Sequence, residues 1–366
     1  MGRNGPTLQK IPVAGPNLSS LERRFLLKAF DSGWISGRGQ FIEKFEKAFA
    51  QYIGVKYALT CSSGTSALHL ALLALEVKQR DEVLVPDLTY IAVPNAVSYC
   101  NALPIMCDID PATWNIDPKD IRSRISRESV AIIAVHLYGN PCDMNELMAL
   151  KKKHGLYLIE DCSESLGSTY KGKPTGAFGD VAVFSFFANK TITTGEGGMV
   201  CTNNRKLAER IDKLRNQWVS SGYNHGGIGY NYRMTNLQAA IGLAQLERID
   251  GLIKTKMRNS KIYDGYLDSK MFEKQQSTEH SFFVPWMYAV KGRFPSEKFV
   301  KYMAKRGVEA KQVFTPVTRQ NPYLEKTRKY SNKISSTGIC FPSGTNLKPS
   351  QIRKVAQLAS GFRSNS

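Results

Sequence analysis

The chain has no apolar stretch near the roughly 18 residues needed to cross a bilayer; its apolar stretches, such as Ala131 to Val135 and the region around Val83, are broken by polar residues well short of that. No membrane partner is expected. Cysteine offers no framework either. The seven thiols, Cys61, Cys100, Cys107, Cys142, Cys162, Cys201 and Cys340, are odd in number, scattered and without Cys-x-x-Cys spacing, which argues against a disulfide scaffold and a zinc site and leaves small buried residues. The five histidines make no pair at metal-ligand spacing, so no metal is expected. Met1 to Pro16 carries Arg3 and Lys10 but no unbroken apolar core and no small-residue cleavage pattern. It does not read as a secretory leader, and a cytoplasmic location is expected. Acidic residues are in short supply: 31 Asp and Glu stand against 50 Lys and Arg, a formal net charge of +19. The basic residues are spread through Arg23, Arg24, Lys151 to Lys153, Lys254, Lys256, Arg258 and Lys326 to Lys329 without aromatic interleaving or a nucleic-acid module. That pattern argues against a nucleic-acid partner and leaves a solvated surface, with attraction for an anionic, nucleotide-linked substrate as the secondary reading.

What is present is an ordinary soluble composition, 42% apolar and 22% charged, on 366 residues. That length exceeds what one core usually supports, so two domains are expected, a larger one over 1–245 and a smaller α+β one over 246–366. Ser19 to Glu22 is a capping box ahead of a first helix that runs to about Asp31. From Tyr57 the pattern alternates. Strands are expected at Tyr57 to Cys61, Glu82 to Val85, Pro104 to Asp108, Ala131 to Val135, Leu156 to Glu160 and Val181 to Phe186. Helices are expected at Ser66 to Leu75, Ile91 to Ser98 and Met144 to His154. Near-continuous apolar strands alternating with helices predict an α/β fold with a mostly parallel central sheet, whose ligands sit at the carboxyl ends of the strands. A long helix is expected from Thr235 to about Leu267, bridging to a strand at Ser281 to Val290, a helix at Ser296 to Arg306, a strand at Val308 to Phe314 and a helix at Ser350 to Ala359.

Three constellations carry chemistry. Ser62 to Leu68 runs from a strand end through small residues into a helix, presenting free N–H groups and hydroxyls at a positive helix end, which suits a phosphate; read alone, it serves equally as a helix cap. Asp161 follows an apolar strand, where a carboxylate facing the crevice holds a heteroaromatic nitrogen protonated, because a close negative charge raises the pKa of a cationic acid; read alone, it too serves equally as a cap. Lys190 lies just past the apolar run Phe184 to Phe187 and ahead of Gly195 to Gly198. A lysine desolvated there becomes a nucleophilic amine, although most lysines are solvated surface residues.

The order and spacing of the three, over Tyr57 to Met199, resemble the large domain of fold-type I pyridoxal-5′-phosphate (PLP) enzymes. More narrowly, the chain resembles the DegT/DnrJ/EryC1/StrS nucleotide-sugar aminotransferases over nearly its whole length, most sharply at Ser62 to Leu75, His136 to Met144, Phe184 to Val200 and Gly229 to Arg248. The last three runs are especially similar to the branch that aminates GDP-4-keto-6-deoxymannose. The resemblance implies an aspartate-aminotransferase-like fold and PLP as cofactor, with Lys190 as the Schiff-base lysine and Asp161 as the partner of the pyridine nitrogen. It further implies Tyr90 as the ring that stacks on the cofactor, Gly64, Thr65 and Ser185 as phosphate contacts, and Glu164 as an acid facing the cofactor. Asn231 matches the residue that reaches the phosphate of a neighbouring subunit, which implies a homodimer with shared sites. The implied reaction is a ping-pong transamination, in which L-glutamate leaves as 2-oxoglutarate and a nucleotide-linked 4-keto-6-deoxyhexose receives the amino group. UDP- or dTDP-linked keto sugars are the alternative substrates, and a PLP-binding regulator without turnover is the alternative of another class. A related branch that dehydrates its sugar has histidine in place of the lysine; here Lys190 is present. The chain departs from its relatives at Ala188, where glycine is usual, and at Lys311, Gln312, Thr315 and Thr318, where Arg, Pro, Tyr and His stand in the similar branch.

Overall fold

The structure is a computed structural model that describes residues 10–363. The expectation for Met1 to Pro16 therefore falls partly outside the described residues. The central sheet has seven strands: β1 (Tyr57–Cys61), β2 (Glu82–Pro86), β3 (Leu103–Cys107), β4 (Ser129–Val135), β5 (Tyr157–Asp161), β6 (Val181–Ser185) and β7 (Gly198–Thr202), in the order β1-β7-β6-β5-β4-β2-β3. Only β7 runs against its neighbours. The α/β class and mostly parallel sheet expected from the sequence are borne out.

Apolar residues saturate the strands because helices cover both faces, and the two-residue period of a strand decides which face each residue serves. Ala131, Ile133 and Val135 of β4 pack with Ala67, Leu68 and Leu72 from helix Gly64–Ala74. Ile132 and Ala134, one step out of phase, pack with Met144, Leu147 and Leu150 from helix Met144–His154. A further helix, Gln40–Ile53, which the sequence reading passed over, carries Phe41, Phe45 and Phe49 at a four-residue spacing and buries them against the β6 end. Phe49 meets Phe184 edge-on at 4.9 Å, and Phe45 lies 5.3 Å from Phe186. Edge-on and offset contacts of this kind add about 0.5–1.5 kcal/mol each to plain burial. The strand that carries Lys190's approach is thereby held rigid from behind.

The single helix expected from Thr235 to about Leu267 is two. Asn236–Glu247 opens on a Thr235/Gln238 capping box, and Ile249–Tyr266 follows a break at Arg248, whose φ of −103° and ψ of 3° leave the helical region. The cause lies outside the helix: the Arg248 guanidinium is drawn to buried Glu22 and to Asn17 Oδ1 (2.8 Å) of the first helix region. That first helix, Ser20–Asp31, has the expected Ser19/Glu22 capping box.

Residues beyond the break build a four-stranded antiparallel sheet, β8 (Phe272–Lys274), β9 (Tyr288–Gly292), β10 (Lys311–Gln312) and β11 (Gly338–Phe341), in the order β8-β9-β11-β10. Helices Ser296–Ala304 and Pro349–Ser360 stand where the sequence placed them. The expected strand Ser281 to Val290 is not continuous. Ser281–Phe282 pairs with Thr169–Tyr170, and Pro285, which has no N–H to donate, separates it from β9. Likewise only Lys311–Gln312 of Val308 to Phe314 joins the sheet. The core here is aromatic, with Tyr263, Phe272, Phe299, Phe341 and Phe362 buried together, and Ile11 from the start of the chain packs into it.

Candidate active site

A cleft of about 410 Å³ opens at the carboxyl ends of the parallel strands, where α/β sheets place their ligands. Gly64, Thr65, Tyr90, Asp161, Glu164, Ser185 and Lys190, separated by up to 126 positions in sequence, all line it. Asn231 does not. It is exposed on its own chain, and its Oδ1 accepts from Arg233 Nε and Nη2 at 3.1 and 3.0 Å.

Each lining residue is placed by an element end. Helix Gly64–Ala74 starts from Ser63, whose Oγ accepts from Ser66 N–H while Ser66 Oγ accepts from Ser63 N–H. This reciprocal cap leaves the Gly64 and Thr65 N–H groups without an intrahelical acceptor at the positive end of the helix. Glycine is demanded at 64, because a Cβ there would lie 2.8 Å from Ser185 Cβ and 3.1 Å from Ser185 Oγ. Asp161 ends β5, buried, with Oδ1 accepting from Ser163 N–H at 3.0 Å and no hydrogen bond to Oδ2 among the described residues.

Lys190 sits in the turn between β6 and β7, its backbone N–H donating to Phe187 O at 2.9 Å. Its Nζ lies 3.6 Å from Glu164 Oε1 and 3.9 Å from the centre of the Trp286 ring. Trp286 is fixed in turn, donating Nε1–H to Asn189 O at 2.9 Å. Burial pushes the Glu164 carboxyl up to about 7 against the pull of the Lys190 charge and the N–H of Tyr138, which donates to Oε2 at 2.7 Å. Thr89 Oγ1 and Asn189 Oδ1, both buried and without a hydrogen-bond partner among the described residues, also belong to residues that line the cleft.

The sequence reading missed the aromatic wall. Tyr138 stacks on Trp286 (6.1 Å, 7°) and on Phe314 (5.4 Å, 17°), so residues from three separated segments form one layer beside Lys190. Tyr138 lay inside a run singled out for its similarity, but only its φ of 56°, invisible in sequence, marks it as special. Trp286 carried no motif at all. Of the departing residues, Lys311 and Gln312 line the cleft, whereas Thr318 is buried with its N–H donating to Asp87 Oδ1 at 2.9 Å.

One buried trio outside the cleft, His136, Glu160 and Cys162, brings potential metal-ligand atoms within 4.8 Å of one another. Its donors are already engaged. Glu160 accepts from Gly176, Phe178 and Gly179 N–H at 2.8, 2.7 and 2.6 Å and pairs with His136 Nε2 at 3.2 Å, while His136 Nδ1 accepts from Cys142 N–H at 2.9 Å. Burial pushes the Glu160 carboxyl up, and these hydrogen bonds outweigh it and hold it below the usual range. The trio pins the loop after Thr175 beneath β5.

The chain matches the model of the DegT/DnrJ/EryC1/StrS aminotransferase family over residues 17–359. It is 43% identical to a GDP-perosamine synthase of Escherichia coli O157:H7, over 98% of this chain and 100% of that protein. It is 42% identical to a GDP-perosamine synthase of Caulobacter vibrioides, over 95% of this chain and 97% of that protein. Among solved structures it superposes on DesV of S. venezuelae with a TM-score of 0.88 at 29% identity, covering 93% of this chain and 94% of that one. It superposes on PseC of Helicobacter pylori, an aminotransferase, with a TM-score of 0.91 at 26% identity, covering 96% and 98%. A cleft at the strand ends and similarity that runs the length of the chain lead to one assignment: the chain belongs to the DegT/DnrJ/EryC1/StrS aminotransferase family.

Proposed function

We propose that the protein is a PLP-dependent transaminase that moves an amino group from L-glutamate to C4 of a nucleotide-linked 4-keto-6-deoxyhexose, with GDP-4-keto-6-deoxymannose as the acceptor and GDP-perosamine as the product. The observation that carries the reading is the convergence of Lys190, Asp161 and the bare N–H groups of Gly64 and Thr65 in one cleft. The acceptor is supported by relatives named GDP-perosamine synthase at 40 to 43% identity over nearly the whole chain.

The cleft fits the cofactor. The crowded Gly64 keeps an anion site open at the helix start, and Ser185 adds a hydroxyl beside it. Asp161 offers a buried carboxylate whose Oδ2 takes no hydrogen bond among the described residues, suited to keep a pyridine nitrogen charged. Tyr90, 60% exposed at the cleft wall, offers a flat face for stacking at little entropic cost. PLP, when bound, supplies an electron sink for the pair left as the Cα proton departs.

The rest belongs to the chain. Lys190 Nζ would hold the cofactor, and the same amine would move the proton from the amino-acid Cα and return it, as base and then acid. Glu164, whose carboxyl burial raises to about 7, lies 3.6 Å from that amine and is placed to orient it toward the cofactor. The aromatic layer keeps water from one side of Lys190. By the family resemblance Asn231, exposed and outside its own cleft, would reach the phosphate site of a two-fold partner, which makes the working form a homodimer with two shared sites. The excess of basic residues favours encounter with a diphosphate-linked sugar, with strong salt dependence.

The test is turnover of purified protein with L-glutamate and a panel of GDP-, UDP- and dTDP-linked 4-keto-6-deoxyhexoses. Amination of the GDP sugar at C4 is expected. Activity confined to UDP or dTDP sugars would replace the acceptor, and no amination of any sugar would sink the reading.

A further inference from the structure

Lys256 is a buried lysine without a carboxylate. Its residue is 4% exposed, in the middle of helix Ile249–Tyr266, and its Nζ donates to Trp286 O at 2.8 Å and to Ser343 O at 3.5 Å. No acidic side chain pairs with it among the described residues. An ammonium so placed is costly to bury, and lysines are almost never found there without a specific reason. Burial and the nearby Lys190 charge accordingly bring its pKa down to about 7. A leucine or methionine would fill the same space at lower cost, so the amine is retained for what it holds.

What it holds is Trp286. The carbonyl of Trp286 accepts from Lys256, its indole N–H donates to Asn189 O, and its ring lies 3.9 Å from Lys190 Nζ. Pro285 precedes it and removes a backbone donor from that stretch, so the segment entering β9 is held by few other main-chain bonds: Val284 N–H donates to Ser168 Oγ at 3.0 Å, Trp286 N–H to Tyr138 O at 2.8 Å, and Tyr288 N–H to Ser343 Oγ at 2.8 Å. We propose that Lys256 is a positioning residue for transamination, which fixes the Trp286 main chain and through the indole sets the place of Lys190 and Asn189. This rests on the reading of Lys190 as the amine that captures the cofactor.

The test follows capture of added PLP by cofactor-free protein, trapped by borohydride reduction, in the parent and in K256M, W286F and the double variant. A K190A control separates the two readings: if the parent traps no PLP at residue 190, the Lys190 assignment falls and this inference with it. With that established, K256M is expected to slow capture about tenfold, as misplacement of a reacting group does. W286F is expected to slow it comparably, and the double variant little further, because both act through one contact. K256R, which retains a donor to the Trp286 carbonyl, should recover most of the rate. Independent, additive losses, or an unchanged rate in K256M, would overturn the proposal. Should K256M fail to fold, K256Q, which cannot hold the amine's place, enters the same cycle with W286F, and additivity there overturns the proposal equally.

Discussion

The backbone N–H of Tyr138 donates to Glu164 Oε2 at 2.7 Å, while the Tyr138 hydroxyl accepts from Phe314 N–H at 2.9 Å. One residue, held at a φ of 56°, thus ties the acid that faces Lys190 to the segment Lys311 to Thr318, where the sequence departs from its relatives. A left-handed tyrosine costs of order 1–3 kcal/mol and persists only where its surroundings over-determine it. Here both ends of the side chain and the backbone are engaged at the site.

Removing the hydroxyl separates those two functions. Tyr138→Phe leaves the N–H on Glu164 but strands the Phe314 N–H, at a cost of about 1–3 kcal/mol if it stays dry. The segment after Lys311 loosens while the chemistry at Lys190 is untouched. KM for the keto sugar is expected to rise about tenfold with KM for glutamate nearly unchanged; equal effects on both substrates would show that the hydroxyl does not act through that segment.

Glu164 gives a pH signature. Its carboxyl titrates near 7 in the folded chain against 4.5 for an ordinary glutamate, chiefly through burial. Between those values the folded state binds the proton and the unfolded state does not. The stability this group contributes is therefore complete below about pH 4.5 and is lost as pH rises through 7. Glu164→Gln abolishes the loss: relative to the parent, the cofactor-free variant should gain about 2 to 3 kcal/mol between pH 5 and pH 8 in denaturant melts. Parallel pH profiles for the two proteins would contradict the burial argument.

Much of this site was legible because its residues sit at strand and helix ends that carry local signals. Asp161 and Lys190 follow apolar runs, and Gly64 and Thr65 follow a strand and open a helix, so periodicity placed them near strand ends, while their joint roles, and Tyr90 and Glu164 altogether, came from the family resemblance. Trp286 and Phe314 were not legible, because their role comes from contacts across more than a hundred residues of chain. The break at Arg248 was hidden for the same reason: the local pattern continues a helix, and only the capture of the guanidinium by Glu22 and Asn17 ends it. Pro285, by contrast, was a visible signal against a continuous strand from Ser281 to Val290.

Gly64 tests the anion site without touching Lys190. A Cβ at 64 would lie 2.8 Å from Ser185 Cβ, which cannot swing away as a side-chain tip would. Gly64→Ala must displace either Ser185 or the helix start, both of which line the cleft. Affinity for PLP is expected to fall at least tenfold, about 1.4 kcal/mol, in a fluorescence titration of cofactor-free protein, with the fold intact by circular dichroism. Unaltered affinity would place the phosphate elsewhere.

Lys190 itself is the sharpest case. Its amine is the one positioned between a carboxylate at 3.6 Å and an indole face at 3.9 Å, with Asp161 across the cleft. On the proposed reading Lys190→Ala deletes both the cofactor anchor and the proton carrier, and acid–base groups of this kind contribute about 10²–10⁴-fold on their own. Steady turnover should fall by about 10³-fold or more. The parent should absorb at roughly 410–430 nm, the colour belonging to the cofactor joined to lysine, and the band should collapse on adding glutamate. The variant should lack the lysine-dependent band before glutamate is added. Retention of steady sugar amination by K190A would remove Lys190 from the chemistry, whatever its place in the cleft.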